Sequence, residues 1–297
     1  MKVSQVFSTM FQTEVKKMEQ RKITKQMIAE FELELRNDEK SNLTVEKYLR
    51  DVRRFITFSS GRPIDKSLVL AYKAELEKEY AVASANSMIA SINAFFRFAG
   101  WLDLCVKQFK VQRKTFCNEE KELTKEEYIR LCKTAEEQKN ERLNLILQTI
   151  CGTGIRVSEL QFITVEAAER GEAIVSCKNK TRTVFIVREL QKKLLSYCKR
   201  RGITSGQIFV TKTGKPMSRT NIWREMKHLC KDAGVNPNKV FPHNLRHLFA
   251  RVFYGIEKDI AKLADILGHS SINTTRIYII TTGTEHRRKM ENMRLIL

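Results

Sequence analysis

Two arginines, two histidines and a tyrosine follow one another through the second half of this chain at spacings that suit one kind of chemistry. Arg156 lies in Gly152-Thr153-Gly154-Ile155-Arg156-Val157-Ser158-Glu159-Leu160, and His243 and Arg246 in His243-Asn244-Leu245-Arg246. His269 ends Leu267-Gly268-His269, and Tyr278 stands nine residues further on. Guanidinium groups are permanently charged, planar and bidentate, so a pair of them can grip the non-bridging oxygens of a phosphate. Histidines handle protons and contact oxygens, and a tyrosine can attack phosphorus and hold it covalently. Together they make a kit for cutting and rejoining a phosphodiester. Only five histidines occur in the chain, which makes two framed in this way stand out. Any of these arginines taken alone would read as a surface ion pair, and a lone histidine as a packing residue. His228 and His286 are read in that second way. Chemistry alone does not choose among seven tyrosines, and Tyr254, the nearest competitor, lies in a helix-like stretch just before Gly255.

Charge agrees with a polyanionic partner. Lys and Arg number 54 against 34 Asp and Glu, a formal net of +20. Residues 1–110 carry 19 basic and 14 acidic side chains, leaving 35 and 20 for residues 111–297, so the excess is concentrated in the second part. Such a field attracts nucleic acid and speeds encounter with it, but it would serve a ribosome-associated or membrane-skimming protein as well. The motifs tip the balance toward DNA. No charged-then-apolar leader opens the chain and no apolar run reaches bilayer length, so a cytoplasmic protein without a membrane partner is expected. Seven cysteines without a C-x-x-C pair read as reduced thiols, mostly packing residues, rather than a disulfide framework or zinc site.

The elements that must position these residues fall into two parts. Up to about Gly100 the chain reads as four short helices. Thr24–Arg36 and Thr44–Phe58 carry apolar residues at helical spacing, a third runs from a cap at Asp65 or Ser67 to about Tyr80, and a fourth from Ser84 to Gly100. Apolar periodicity fades from Asp103 to Glu122 while lysines and arginines accumulate, and a linker is expected over 106–118. Thr124 with Glu127 forms a capping box that opens a new helix, so a second domain is expected over 119–297. It should be mainly helical with one hairpin, in which Ala173–Cys177 and Thr183–Val187 flank a basic tip, Lys178-Asn179-Lys180-Thr181-Arg182. Asp259 can cap a helix ending at Gly268, and Ser270 or Ser271 the next one, which carries Tyr278.

These segments, taken together, resemble the tyrosine recombinase or phage-integrase family, and most of all its compact two-domain members of the Xer and mobile-element type. The resemblance extends over nearly the whole chain after residue 20. It rests on Thr153 to Leu160, on Pro242-His243-Asn244-Leu245-Arg246-His247-Leu248-Phe249-Ala250, and on Leu267 through Tyr278; Thr44, Tyr48, Asp51 and Phe55 fit a looser N-terminal pattern. It implies a mainly α fold with a small β component: an N-terminal four-helix, SAM-like DNA-clamping bundle over 21–105 and a mixed α/β catalytic domain.

The implied roles follow residue by residue. Arg156 and Arg246 bind the scissile phosphate, His243 is the general base or orients the phosphate, His269 donates a hydrogen bond to it, and Tyr278 is the nucleophile. Glu159 braces Arg156, and His247 packs behind the site. A lysine on the hairpin tip would protonate the leaving 5′-hydroxyl. The usual tip, Gly-Lys-Gly-x-Lys-x-Arg, is one residue longer than Cys177-Lys178-Asn179-Lys180-Thr181-Arg182, so a deletion in the turn assigns the role to Lys178, with Lys180 as the alternative. The implied reaction passes through a 3′-phosphotyrosyl bond and needs neither cofactor, metal nor ATP. Expected partners are a double-stranded DNA recombination site and three further copies of the chain in a tetramer on two sites, with room for accessory proteins that set direction. With only some twenty residues before the first helix, no added arm-binding domain is expected. A type IB topoisomerase-like activity shares the chemistry, a DNA-binding regulator with a decayed site shares the charge, and a nucleoid-type structural protein would explain the charge alone.

Overall fold

The computed structural model describes residues 21–111, 119–177, 180–211, 213–279 and 283–293, with all their side chains except those of 119, 177, 180, 279, 283–286 and 289. The chain divides into two compact units, residues 1–113 and 114–297. The segments expected as an N-terminal extension and most of the linker, 112–118, lie outside the described residues, as does the tip lysine Lys178.

The first unit is a bundle of four helices, α1 (Lys25–Asn37), α2 (Asn42–Ser59), α3 (Lys66–Glu79) and α4 (Val82–Phe98). Side-chain caps start three of them: Thr24 accepts from the Met27 amide, Ser41 from Thr44 and Asp65 from Leu68. The second helix therefore starts two residues before the expected Thr44, at a serine cap. Each helix turns one apolar stripe inward, and Phe31, Phe55, Phe95 and Phe96 meet edge to face in the core. Val106 and Phe109 fall within the stretch expected to link the two parts, yet α4 holds both. Asn93 exchanges hydrogen bonds with the Val106 backbone, and Asn86 does the same with Phe109. An asparagine amide carries donor and acceptor side by side, so it can pair with an extended residue as a neighbouring strand would.

The second unit is built around α6 (Glu141–Thr153), which buries Leu143, Ile146, Leu147 and Ile150. Helix α5 (Lys125–Glu137) opens on the expected capping box, with Thr124 Oγ1 and the Glu127 carboxylate each accepting from the other's backbone. A short helix α7 (Val165–Arg170) leads into β1 (Glu172–Cys177) and β2 (Lys180–Phe185), followed by α8 (Arg188–Arg201), α9 (Arg219–Asp232) and α10 (Pro242–Glu257). Then come α11 (Ile260–Leu267), α12 (Ile272–Arg276) and, after three residues left undescribed, α13 (Gly283–Asn292). The architecture is thus mainly helical with one antiparallel hairpin among the described residues.

The hairpin differs from the expectation. Cys177 pairs with Lys180, so Lys180, Thr181 and Arg182 belong to the strand rather than the tip. A run of three charges in five residues reads as a solvated loop, but Arg182 finds an anionic partner inside the unit and so tolerates a strand position. The segment after Gly268 is also shorter than expected. Ser271 caps α12, which stops at Arg276, and Tyr278 sits in the single 3-10 turn Ile277–Ile279 that follows.

Candidate active site

Three backbone turns bring the candidate groups together. Helix α6 ends at Gly154, whose φ of +66° belongs to the left-handed region. A Cβ there would also stand 2.4 Å from the Phe249 ring, so both conformation and space exclude a side chain. The chain then extends through Arg156, and Glu159 folds back to accept from the Arg156 amide at 2.8 Å and from its Nη1 at 2.9 Å. Glu159 is 2% exposed. It braces Arg156 as expected, and it also accepts from Arg182 Nη2 at 2.6 Å.

Helix α10 starts at Pro242, a residue suited to a first helical position. His243, Arg246 and His247 stand three and four residues apart and so share one face. Arg246 is 2% exposed. Its Nη1 donates to the Gly154 carbonyl at 2.6 Å, and its Nη2 to the Leu267 carbonyl at 2.7 Å. A single arginine thereby ties the end of α6 to the end of α11. Gly268 closes α11 with φ +65°, and His269 comes next.

His269 Nε2 lies 3.0 Å from Arg246 Nη2, and its Nδ1 2.9 Å from Thr275 Oγ1. A guanidinium has no acceptor, so Nε2 must accept; the ring is the neutral Nδ1–H tautomer, donating to Thr275. Electrostatics agrees. Burial, then Arg246, Arg156 and Arg182, push the His269 pKa from 6.5 to about 4. Burial also lowers His243, with His247 and the two site arginines acting the same way, and burial with Arg156 brings Arg246 down to about 10.

Tyr278 is 5% exposed and enclosed by imidazoles. Its ring stacks on His269 at 5.4 Å between centroids and 13° between planes, with His243 at 5.8 Å and His247 at 4.3 Å. His247 is therefore the nearest of the three to the tyrosine. Its Nδ1 faces Glu122 Oε2 at 3.6 Å, and the same carboxylate accepts from Arg251 at 3.2 Å. Two open clefts meet at Arg156. One of about 770 Å³ is lined by Arg156, Arg219, Trp223, His243 and Arg246; the other, of about 620 Å³, by Arg156, Arg182, Gly268 and His269.

Arg156, His243, Arg246, His269 and Tyr278 thus converge from separate segments, while the Lys178 position lies outside the described residues and no side chain is described for Lys180. Three contributors escaped the sequence reading. Glu122 meets a histidine 125 residues away, Arg182 meets a glutamate 23 away, and Thr275 fixes the tautomer of His269 six residues before it. Thr275, inside the motif around His269, and Arg182, at the arginine of the hairpin motif, carried a local signal, whereas Glu122 carried none. His228 corrects an expectation: it is exposed on α9 rather than packed, and the side chain of His286 lies outside the described set. The described cysteines 105, 132, 151, 198 and 230 are free thiols, and burial raises Cys132 to about 11 and Cys151 to about 12, which keeps both protonated. No helix among the described residues is long and apolar enough to cross a membrane.

The sequence profile of the phage integrase family matches residues 121–284, and that of the phage integrase N-terminal SAM-like domain matches residues 28–102. The chain is 31% identical over 281 residues to tyrosine recombinase XerA of Thermococcus kodakarensis, covering 91% of this chain and 96% of that one. It is 29% identical over 269 residues to tyrosine recombinase XerD of Halalkalibacterium halodurans, covering 83% and 90%. Among solved structures, a XerA recombinase crystal structure aligns over 92% of this chain and 99% of its own at 26% identity and a TM-score of 0.52. The fold is also that of the Tn1549 transposon integrase in complex with transposon right end DNA (TM-score 0.69, 18% identity, 91% and 99% covered). A lambda integrase tetramer bound to a Holliday junction shares it too (TM-score 0.68, 18% identity, 85% and 76% covered). With both domain profiles in order along one chain, and the cluster of Arg156, His243, Arg246, His269 and Tyr278 inside the second, the chain belongs to the phage integrase family of tyrosine recombinases.

Proposed function

We propose that this recombinase cleaves and rejoins double-stranded DNA at specific sites, with Arg156, His243, Arg246, His269 and Tyr278 as its catalytic residues and Lys178 as general acid. The observation that carries this reading is the enclosure of Tyr278 by three imidazoles beside a buried arginine, Arg246, whose guanidinium also reaches the tyrosine. Arg156 and Arg246 neutralise the non-bridging oxygens as the charge of a five-coordinate phosphorus develops. His243 takes the phenolic proton as the Tyr278 oxygen bonds to phosphorus, the bond to the 5′-oxygen breaks, and that oxygen leaves with a proton from Lys178. A 5′-hydroxyl from another strand then reverses the step. One ester replaces another throughout, so no ATP is consumed, and the arginines stand where a metal-dependent nuclease would hold its ion. In the free protein His269 accepts from Arg246; an arriving phosphate supplies the negative charge that raises the proton affinity of the ring and draws it into donation.

A tetramer on two DNA sites is the working assembly of this reading, supported by the lambda integrase tetramer of the same fold bound to a Holliday junction; the reading also takes the cytoplasm as the location and accessory proteins as setting direction. Tyr278→Phe provides the test. It removes one oxygen and leaves ring packing and phosphate contacts in place. The variant should bind a nicked suicide substrate with unchanged affinity and form no covalent adduct on a denaturing gel. An adduct of wild-type yield would remove Tyr278 as nucleophile.

A further inference from the structure

Strand β2 alternates between a core face and an outer face, and Arg182 stands on the core face. Its cross-strand partner Val175 is buried, and so is Val184 two residues on, whereas Phe185 and the Thr183 partner Ile174 are exposed. An arginine in such a position needs its charge met, because a buried unpaired charge is costly. Arg182 meets it at Glu159, where its Nη2 takes Oε2 at 2.6 Å while Arg156 Nη1 takes Oε1 at 2.9 Å. To reach that carboxylate the side chain crosses bare backbone. A Cβ on Gly268 would lie 2.5 Å from both Cδ and Nε of Arg182. One side chain from the hairpin therefore shares a carboxylate with Arg156 and rests on the residue before His269.

We propose that Arg182 is a positioning residue of the recombination site, setting Arg156 through Glu159 and His269 through the Gly268 backbone so that both close on one phosphate. The proposal rests on the phosphodiester reading above. Its physical basis is competition for Glu159. Glu159 Oε2 accepts from the Arg156 amide at 2.8 Å, and Arg182 fills the rest of that oxygen, so the Arg156 guanidinium is left with Oε1 alone and is denied a two-pronged pair that would draw it away from the cleft. Arg156 is instead held through one guanidinium nitrogen and lines both clefts. Arg182 also acts on His269 through charge. The groups around that imidazole are Arg156, Arg182, Arg246 and His243, with Tyr278 stacked on the ring and the Glu159 and Asp265 carboxylates lining the same cleft. Each arginine there disfavours the imidazolium.

Arg182→Gln and Arg182→Lys in the full chain test this with two readouts. In single-turnover cleavage of a suicide substrate at saturating protein, the Gln variant should slow the first-order step roughly 10–100-fold, the scale of a displaced catalytic group. Its DNA Kd should stay within about threefold of wild type, since positioning is lost and binding is not. The Lys variant should recover part of the rate, because it restores charge without the planar fork. In NMR titrations without DNA, His269 should titrate at higher pH in the Gln variant and near wild type in the Lys variant. A folded Gln variant with unchanged rate and unchanged His269 titration would refute the proposal. So would a loss of DNA affinity equal to the loss of rate, which would make Arg182 a phosphate ligand itself. If the Gln variant does not fold, Gly268→Ala compared in the wild-type and Arg182→Lys backgrounds takes over: coupled effects support the passage of Arg182 over Gly268, and additive effects overturn it. A wild-type protein that forms no phosphotyrosyl adduct would sink the functional reading instead, while the titration would still report on Arg182.

Discussion

The tautomer of His269 fixes what this residue does before DNA arrives. Arg246 can only donate, so Nε2 is an acceptor and the ring is neutral, in agreement with a pKa pushed down to about 4 by burial and three arginines. The consequence for stability has a definite sign. In the unfolded chain the histidine binds its proton near pH 6.5, and in the folded chain only near 4, so the unfolded state holds more protons between those values. Stability therefore falls as pH drops from about 6.5 toward 4, and above 6.5 this residue contributes no pH dependence. The lowered pKa of His243 adds in the same direction. His269→Gln should flatten the decline in melting temperature between pH 7 and pH 4.5. The difference should be on the order of 1–3 kcal/mol once partial solvent contact is allowed for. Thermal melts of the two proteins across that range check it, and parallel slopes would show that His269 is free to protonate in the folded state.

At the scale of elements, the separation of roles on α2 leads to a further expectation. Asp51 is buried and accepts from Lys47 Nζ at 2.9 Å and Ser91 Oγ at 2.9 Å, with Arg50 Nη2 at 3.4 Å. Lys47 also donates to the Ser87 carbonyl and to Ser91 Oγ, so its three hydrogens are spent within the bundle. Arg50, with its side chain 73% exposed beside Lys47 and Asp51, has donors to offer a DNA backbone. Lys47→Ala should thus lower stability by about 1–3 kcal/mol, the cost of stranding a buried polar partner, with little change in the salt dependence of DNA binding. Arg50→Ala should leave stability alone and reduce the slope of log K against log salt by about one. Urea unfolding paired with binding titrations at several salt concentrations separates the two, and reversed effects would reverse the assignment. These elements were legible in the sequence where the signal was local. Thr24, Asp65, Thr124 and Asp259 each announce a helix start within three residues, and apolar spacing marks the face that packs. The hairpin register was not legible. Its basic run reads as a loop until Glu159, far from it in sequence, is seen to carry the charge of Arg182. The active-site cluster stood out because motif spacing preserves it, whereas Glu122 behind His247 has no neighbour in sequence that betrays it.

For the whole molecule, the net charge of +20 draws the chain to DNA, but charge does not count subunits. The last described helix bears on that. Met290 on helix α13 and Met293 just past its end are 59% and 58% exposed, three residues apart, where a tail folded onto its own unit would have buried them. Two solvent-facing methionines on and just after a helix otherwise rich in charge suit a contact made with another copy of the chain. A closed ring of four copies passing this helix to a neighbour would couple the tyrosines, so that cutting by one protomer depends on the tail of the next. The free protein should accordingly be a monomer, and a synapse of two DNA sites should contain four copies. Deleting residues 286–297 should abolish the four-copy complex while binding to a single half-site stays within about threefold, because neither the N-terminal bundle nor the arginine pocket is touched. Replacing Met290 and Met293 with Ser is the gentler version, and it should weaken the tetramer by roughly 1–3 kcal/mol per contact if those side chains are buried in the assembly. Light scattering of the complexes decides the matter: a truncated chain that still assembles four copies on two sites would move the coupling contact to some other surface.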